Sequence, residues 1–249
     1  MRCFIEPERW SPERIEVEGE ELHHLAHVIR AREGDLVEVT DGVGHEARTR
    51  LVHVERRVAW LEVEQQSVVP APRPAITLVQ ALPREQKFEW VIQKATELGV
   101  SAIYPALAEH SVVKLRKGEE QAKRDRWRKI AINALKQSGG AWLPDVHPAA
   151  DVGATLAGLP RHDLVVVCSL AADAQPLRSV LRDVRDKVPR SVVAVVGPEG
   201  DFTSRETSVA RNAGARLVSL GSRVLRAETA ALYILSALTY EFSPVEPRS

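Results

Sequence analysis

The chain has 249 residues, of which 44% are hydrophobic and 27% charged, and its formal net charge is zero. This composition is typical of a folded soluble protein with one large domain or two smaller ones. No apolar run approaches the length needed to cross a bilayer, and the first residues lack a signal-peptide core, so we expect a cytoplasmic protein. The two cysteines, Cys3 and Cys168, lie far apart, which disfavours a disulfide framework or a cysteine-based metal site.

The charge is distributed unevenly along the chain. Residues 1–70 carry 9 Arg, no Lys and 15 acidic residues, a net charge of −6, so residues 71–249 carry a net charge of +6. Nine basic residues stand between Lys114 and Lys136. Such a cluster suits a surface that contacts phosphates, and a solvated helix face with i,i+4 ion pairs is the alternative.

The first seventy residues are predicted to form mostly short strands. A helix is predicted over residues 20–30, and strands over residues 36–39, 45–54 and 58–63. Three prolines at alternate positions, Pro70, Pro72 and Pro74, predict an extended linker. We therefore predict two domains, residues 1–70 and residues 71–249, and we expect the first to form a small β-barrel.

Strands and helices alternate after the linker, which predicts an α/β domain with a mostly parallel sheet. The last helix is apolar nearly all round, so it must be buried, either inside the domain or against another subunit. A capping box, Thr203-Ser-Arg-Glu206, begins the helix before it. The predicted strands cover residues 76–82, 102–104, 164–168, 191–196 and 216–220. The predicted helices cover residues 86–98, 120–137, 177–184, 203–213 and 228–241.

Two loops near the end of the chain are the candidate ligand site. Gly197-Pro-Glu-Gly200 follows an apolar strand, and Leu220-Gly-Ser-Arg-Val-Leu-Arg-Ala-Glu-Thr-Ala230 leads into the last helix. Ligands of open α/β sheets bind beyond the carboxyl ends of the strands. Each loop also has a structural alternative, a tight turn for the first and mutual pairing of Arg223, Arg226 and Glu228 for the second. Standard dinucleotide, P-loop, zinc-protease and serine-hydrolase motifs are absent.

Several motifs in register give the chain a resemblance to a known family. The second half contributes Gln80-Ala-Leu-Pro83, Trp90-Val-Ile-Gln-Lys-Ala-Thr-Glu-Leu-Gly-Val100, Ile103-Tyr-Pro105, Gln137-Ser-Gly139 and the two loops. The first half contributes His24-Leu25, Val28-Ile-Arg30, Gly34-Asp35 and Asp41-Gly42. Together these motifs resemble the RsmE family, the bacterial 16S ribosomal RNA uridine-N3 methyltransferases.

The resemblance implies an α/β fold of the SPOUT class, with a C-terminal deep trefoil knot and a small N-terminal PUA-like β-barrel that binds RNA. It implies S-adenosylmethionine as cofactor, a homodimer, and 16S rRNA in the small ribosomal subunit as partner, with no metal, membrane or DNA. By motif, the cofactor-binding residues are Gly197, Pro198, Glu199, Gly200, Leu220, Gly221, Ser222, Val224 and Leu225.

Methylation at N3 of uridine requires that the N3 proton be lost. We expect Arg226 to stabilise the developing charge on a uracil oxygen, and Glu199 or Glu228 to orient the base or assist proton loss. Positioning of the two reactants could instead supply most of the acceleration. The expected RNA contacts are Arg9, His24, Arg30, Arg32, Lys94, Lys114, Arg124, Arg128 and Lys136.

Three positions depart from the family pattern: Gly140 and His110 stand where the family usually has Arg, and Asp201 where a second Gly is common. We expect the Asp201 side chain to cap the helix that follows. Two other functions remain open from sequence. One is another SPOUT enzyme, acting on a tRNA base or a ribose 2′-hydroxyl, and the other is a non-catalytic RNA-binding factor in ribosome assembly.

Overall fold

The computed structural model describes residues 1–111, 113, 115–116 and 118–242. The chain divides into two compact units. The first unit holds Met1–Ala71 together with Ile132–Leu143, and the second holds Pro72–Ala131 and the described chain from Pro144 onward. The sequence pattern had placed residues 132–143 wholly in the second domain.

The first unit contains one five-stranded sheet in the order β1-β3-β4-β5-β2. The β1–β3 pair is parallel and the other pairs are antiparallel. Neither β1 nor β2 was among the predicted strands, although Ile15 and Val17 of β2 alternate with charged residues. The strands are β1 (Arg2–Phe4), β2 (Arg14–Glu18), β3 (Leu36–Thr40), β4 (His45–Val54) and β5 (Val58–Val68).

Alternation along the strands builds the core of the first unit. In β2, Ile15 and Val17 are buried while their neighbours are exposed, and they pack in one cluster with Leu51 and Leu61. Burial of one face in this way fixes the strand register, because a one-residue slip would expose every apolar side chain.

The predicted helix over residues 20–30 begins correctly but changes type. An α-helix, α1 (Gly19–His23), continues as a π-helical turn, His24–Val28. The segment ends at Arg30, whose φ of 60° lies in the left-handed region. Apolar spacing over so few residues does not distinguish the two helix types, so the sequence could not reveal the π turn.

Backbone hydrogen bonds tie residues 132–143 to the first unit. Leu143 N–H donates to the Gly42 carbonyl at 2.8 Å, and Gly44 N–H donates to the Ala141 carbonyl at 3.0 Å. Gly42 has a φ of +74°, and a Cβ there would lie 2.8 Å from the Leu143 Cβ. These contacts join distant parts of the chain, so no local sequence signal reports them.

The second unit contains an eight-stranded sheet, and all of its strand pairs are parallel. The predicted α/β class with a mostly parallel sheet is therefore confirmed. The order is β11-β13-β10-β12-β6-β7-β8, and β9 pairs with β7. The strands are β6 (Ala75–Ala81), β7 (Ala102–Leu107), β8 (Asp145–Val146), β9 (Ala150–Asp151), β10 (Leu164–Cys168), β11 (Gln175–Pro176), β12 (Ser191–Val196) and β13 (Arg216–Ser219).

The helices lie close to their predicted positions, apart from one short helix that the sequence pattern did not indicate. That helix, α4, is capped by the Asp151 carboxylate, which accepts a hydrogen bond from Ala154 N–H. The helices are α2 (Glu85–Glu97), α3 (Glu120–Ser138), α4 (Val152–Gly158), α5 (Leu177–Asp183), α6 (Ser204–Asn212) and α7 (Ala227–Phe242). None of the helices described is both long and apolar enough to cross a membrane.

The last helix, α7, is buried on one face and exposed on another. Ala231, Ile234, Leu235 and Leu238 are fully buried, whereas Tyr233 is 50% and Tyr240 88% exposed. The prediction of burial is confirmed for the first face. The face that carries these two aromatic side chains is exposed in the single chain, so its burial against another subunit stays a prediction.

Candidate functional site

The order of the sheet brings three loops of the second unit to one edge. Strands β13, β10 and β12 are neighbours and run parallel, so their carboxyl ends meet. Beyond them lies an open cleft with about 530 Å³ of empty space, counting the part that opens to solvent.

Most of the predicted cofactor residues line this cleft, namely Gly197, Pro198, Glu199, Leu220, Gly221, Val224 and Leu225. Gly200 and Ser222 are not among the described residues that line it. Sequence reasoning missed the third wall, Cys168-Ser-Leu170, and the contributions of Ala227 and Ala230. The position of β10 beside β12 could have pointed to the third wall, but strand order is not readable from the sequence.

The first loop makes a tight turn at Glu199 and Gly200, and a positive φ follows at Asp201. Asp201 N–H donates to the Pro198 carbonyl at 3.0 Å, and Asp201 itself has a φ of 60°. The positive φ of this loop therefore lies at Asp201 and not at Gly200. Asp tolerates the left-handed region better than most residues because its short side chain makes local hydrogen bonds.

The Asp201 carboxylate does not cap the next helix, contrary to expectation. It accepts hydrogen bonds from Leu170 N–H at 2.8 Å, Ser169 Oγ at 3.2 Å and Phe202 N–H at 2.8 Å. Helix α6 is instead capped by Thr203, whose hydroxyl accepts from Glu206 N–H while the Glu206 carboxylate accepts from Thr203 N–H. The predicted capping box is confirmed.

Two of the three departures from the family pattern meet in space. The Nδ1 atom of His110 lies 3.1 Å from the Asp201 carbonyl oxygen, at hydrogen-bonding distance. The His110 ring also packs beside Gly200. In addition, Glu109 N–H donates to the Glu206 carboxylate at 2.9 Å. The segment after β7 therefore contacts both the first loop and the start of α6.

The second loop depends on a glycine. Gly221 has a φ of +125°, a conformation that residues with a side chain rarely adopt. The Ser219 hydroxyl bridges the turn, since it accepts from Gly221 N–H at 3.3 Å and lies 3.2 Å from the Gly221 carbonyl oxygen. The loop then presents Val224, which is 73% exposed, at the cleft.

The predicted catalytic carboxylates share a cation that the sequence did not suggest. Lys87 Nζ, in α2, lies 2.9 Å from Glu228 Oε1 and 3.6 Å from Glu199 Oε1. Arg226 is exposed, and its backbone carbonyl accepts a hydrogen bond from Ala230 N–H at the start of α7. Mutual pairing of the loop charges is therefore not the arrangement found for Glu228.

The protonation of Glu228 follows from these neighbours. Burial raises the pKa of Glu228, but the hydrogen bond and charge of Lys87, a backbone hydrogen bond and the charge of Arg226 together lower it below its ordinary value. Glu228 is therefore a carboxylate at neutral pH. Its Oε2 atom is buried and has no hydrogen-bond partner in the part of the chain that the structure describes.

Cys168 lines the same cleft, but its thiol is unreactive. Burial first, and the nearby Asp201 charge second, raise the pKa of the Cys168 thiol to about 12. The thiol therefore stays protonated at physiological pH and is a poor nucleophile. Across residues 1–111, 113, 115–116 and 118–242, no three His, Cys, Asp or Glu side chains gather closely enough to hold a metal ion.

The residues predicted to contact RNA differ in their exposure and in the ion pairs and hydrogen bonds that they form. Arg9, Lys94 and Lys136 form ion pairs with Glu18, Glu97 and Glu21 respectively. The Arg30 and Arg32 side chains are exposed, and His24 and Lys136 line a second cleft, within the first unit. Arg124 Nε donates to the Val146 carbonyl at 3.0 Å, Arg128 is half-buried in α3, and Lys114 lies outside the described residues.

Comparisons with known proteins define the class and then the family. A family described as an RNA methyltransferase domain matches residues 70–239, and one described as an RNA methyltransferase PUA domain matches residues 17–64. The protein is thus of the RNA methyltransferase class.

Relatives narrow the class further. The ribosomal RNA small subunit methyltransferase E of Bacillus subtilis is 34% identical over 97% of this chain and 96% of its own length. The enzyme of the same name from Synechocystis is 32% identical over 95% of this chain and 76% of its own length. The chain belongs to the ribosomal RNA small subunit methyltransferase E family, as the sequence resemblance indicated.

A solved structure of that family is also similar. The Neisseria gonorrhoeae enzyme, bound to S-adenosyl methionine, superposes with a TM-score of 0.84 at 29% identity. The match covers 96% of both chains.

Proposed function

We propose that the protein transfers a methyl group from S-adenosylmethionine to N3 of a specific uridine in the 16S rRNA of the small ribosomal subunit. The cleft at the carboxyl edge of the parallel sheet carries this proposal, because the two loops that supply the family motifs form its walls. Family membership and the relative that binds S-adenosyl methionine support it.

The residues of the cleft fit this cofactor. Apolar side chains, among them Leu220, Leu225 and Leu170, suit the adenine ring, and the turns at Gly197 and Gly221 allow the backbone to approach a ligand closely. A Cβ at Gly197 would lie 3.2 Å from the Phe202 ring, so even alanine would crowd this turn. When bound, S-adenosylmethionine supplies a methyl group on a positively charged sulfur, which keeps the electron pair of the carbon–sulfur bond that breaks.

The side chains of the loops then act on the uracil ring. The N3 proton must leave as the bond from N3 to the methyl carbon forms, so negative charge develops on the uracil oxygens. We assign Arg226, an exposed residue of the second loop, to stabilise that charge. Glu228 or Glu199 orients the base and takes up the N3 proton, which then passes to solvent, and the lowered pKa of Glu228 favours that release.

The rest of the expected architecture belongs to the same proposal. We assign a trefoil knot to the segments around the two loops, a closed PUA-like barrel to the first unit, and a homodimer to the complete enzyme. The exposed Tyr233 and Tyr240 on α7 are suited to a subunit contact, because aromatic side chains are enriched at such interfaces. A ribosomal substrate requires the enzyme to work in the cytoplasm.

Binding of the RNA is assigned to the basic residues named above. The exposed Arg30 and Arg32 of the first unit are best placed to contact phosphates, because their side chains face solvent. The target uridine must leave its stack to reach the cleft, as in other enzymes that modify bases.

The decisive experiment incubates the protein with labelled S-adenosylmethionine and small subunits that lack the modification. Nucleoside mass spectrometry should then find N3-methyluridine at one position of 16S rRNA. A 2′-O-methylated nucleoside, or methylation of tRNA instead, would assign the chain to another SPOUT reaction. Absence of cofactor binding and of any methylated product would leave a non-catalytic role in ribosome assembly.

A further inference from the structure

Lys87 occupies a position that neither the sequence motifs nor the two loops account for. It lies in the first turns of α2, outside both loops, yet its ammonium group contacts a carboxylate from each of them. The three side chains thus form one cluster, with the cation between Glu199, at the cleft wall, and Glu228, in the first turn of α7.

The two contacts are unequal. Glu228 is held at 2.9 Å and its side chain is only 13% exposed, whereas Glu199 lies at 3.6 Å and its side chain is 42% exposed. A short contact in a partly buried setting fixes a side chain, while a longer one in a solvated setting leaves it adaptable. Lys87 therefore holds Glu228 in place and leaves Glu199 freer to adjust to a ligand.

We propose that Lys87 is a positioning residue for methyl transfer: it binds Glu228 through Oε1 and so orients Oε2 to accept the N3–H group of the target uridine and to take up its proton as the bond from N3 to the methyl carbon forms. This inference rests on the proposed function and deepens it. The support is that Oε2 is buried and lacks a partner among the residues described. A buried carboxylate oxygen without a donor is costly, so a donor brought by a ligand would be bound favourably.

The same cluster places a cation between the two carboxylates. Without a cation between them, the repulsion of two nearby carboxylates favours protonation of one. A protonated carboxyl group is a weaker hydrogen-bond acceptor than a carboxylate, and it cannot take up the N3 proton. Lys87 keeps Glu228 ionised. The positive charge of Arg226 also lowers the pKa of Glu228.

The test compares K87M, K87R, E228Q and the double variant K87M/E228Q with the wild-type enzyme. Methylation of small subunits is measured in single turnover at saturating cofactor between about pH 4 and pH 9, a range that includes the ordinary pKa of a glutamate, alongside the cofactor Kd and the melting temperature. R211M serves as the matched control, because it also removes a cation paired with a carboxylate, the Arg211–Asp173 pair, in the same unit.

We expect K87M to slow methyl transfer about tenfold or more, as loss of orientation does, while the cofactor Kd changes by less than about threefold. The acid limb of its rate profile should move to higher pH, because Glu228 loses the partner that keeps it ionised. K87R should recover much of the rate, R211M should match the wild type, and the double variant should be no slower than E228Q alone.

Other outcomes would overturn the inference. If K87M transfers methyl groups at the wild-type rate, or merely lowers the melting temperature without moving the pH profile, Lys87 has no positioning role. If its effect adds in full to that of E228Q, Lys87 does not act through Glu228. If the wild-type enzyme makes no N3-methyluridine, the proposed function fails first and this inference falls with it.

Discussion

The carboxylate of Asp201 accepts a hydrogen bond from the Leu170 backbone N–H at 2.8 Å, and so joins the loop after β12 to the loop after β10. Both loops line the same cleft. The residue that departs from the family's glycine pattern is thus the one that fixes the distance between two walls of the candidate cofactor site.

Replacing Asp201 should therefore weaken cofactor binding more than it weakens folding. We expect D201G to raise the Kd for S-adenosylmethionine about 5- to 30-fold, equivalent to about 1–2 kcal/mol for lost hydrogen bonds. Glycine tolerates the φ of 60° at this position, so D201G removes the side chain without adding backbone strain. D201N keeps one acceptor oxygen and should lie in between. Equal Kd values for all three proteins, by calorimetry, would contradict this role.

Gly221 offers a test of backbone conformation at the second loop. With a φ of +125°, G221A should be strained by about 1 kcal/mol or more, and the distorted loop should bind the cofactor less tightly. G214A is the control, since Gly214 also has a positive φ, +83°, but does not line the cleft described. Both variants should melt at lower temperature, but only G221A should have a raised Kd. A raised Kd in G214A would show that backbone strain outside the cleft also weakens cofactor binding.

Arg226 should matter for catalysis and little for cofactor affinity. Loss of a group that stabilises developing charge typically costs roughly 100- to 1,000-fold in rate, so we expect R226A to lose activity on that scale. R161A, which removes an exposed arginine elsewhere in the second unit, is the control. Single-turnover methylation and cofactor binding should be measured on the same preparations. Full turnover by R226A would show that another group carries this role.

RNA affinity should fall steeply with salt, because contacts with phosphates release counterions. The double variant R30A/R32A should lower the slope of log K against log salt by about 1.4, the value for two phosphates on single-stranded RNA. R56A/R57A removes two exposed arginines from the turn between β4 and β5 and should leave the slope unchanged. A slope that is equal in all three proteins would remove Arg30 and Arg32 from the RNA interface.

Both cysteines should resist alkylation in the folded protein. Burial is the main cause that raises the pKa of Cys3 and of Cys168 to about 12, so the reactive thiolate is scarce at pH 8. Because the thiolate is the disfavoured form, reactivity should increase only as pH rises toward that value or as the protein unfolds. Mass spectrometry after iodoacetamide treatment, with and without denaturant, provides the measurement. Rapid labelling of Cys168 at pH 8 in the native protein would show that the cleft is more solvated than the structure indicates.

The sequence predicted those parts of the fold that depend on local patterns. The buried strands β10 and β12 were placed at their observed residues, and Thr203 with Glu206 marked the start of α6, because periodicity and capping are short-range signals. Elements of two or three residues, such as β8 and β1, leave no period to detect.

What the sequence could not supply are contacts between distant segments. Lys87 and Glu228 are separated by 141 positions, 228 − 87, so only the folded chain reveals their ion pair. The same holds for Ser169 and Leu170, which reach the cleft because β10 lies beside β12. The motifs identified the two loops, whereas the partners of their charges depend on strand order and on helix packing.

The division of the chain has a practical consequence for the isolation of the first unit, which we propose to bind RNA. A fragment that stops at Ala71 would lack Ile132–Leu143, and with it the Lys136 partner of Glu21 and the Trp142 indole that donates to the Val69 carbonyl. Such a fragment would expose the Gly42 and Gly44 turns that the missing segment covers. Expression of that unit calls for residues 132–143 to be grafted back through a designed connection, not for a single cut at the proline linker.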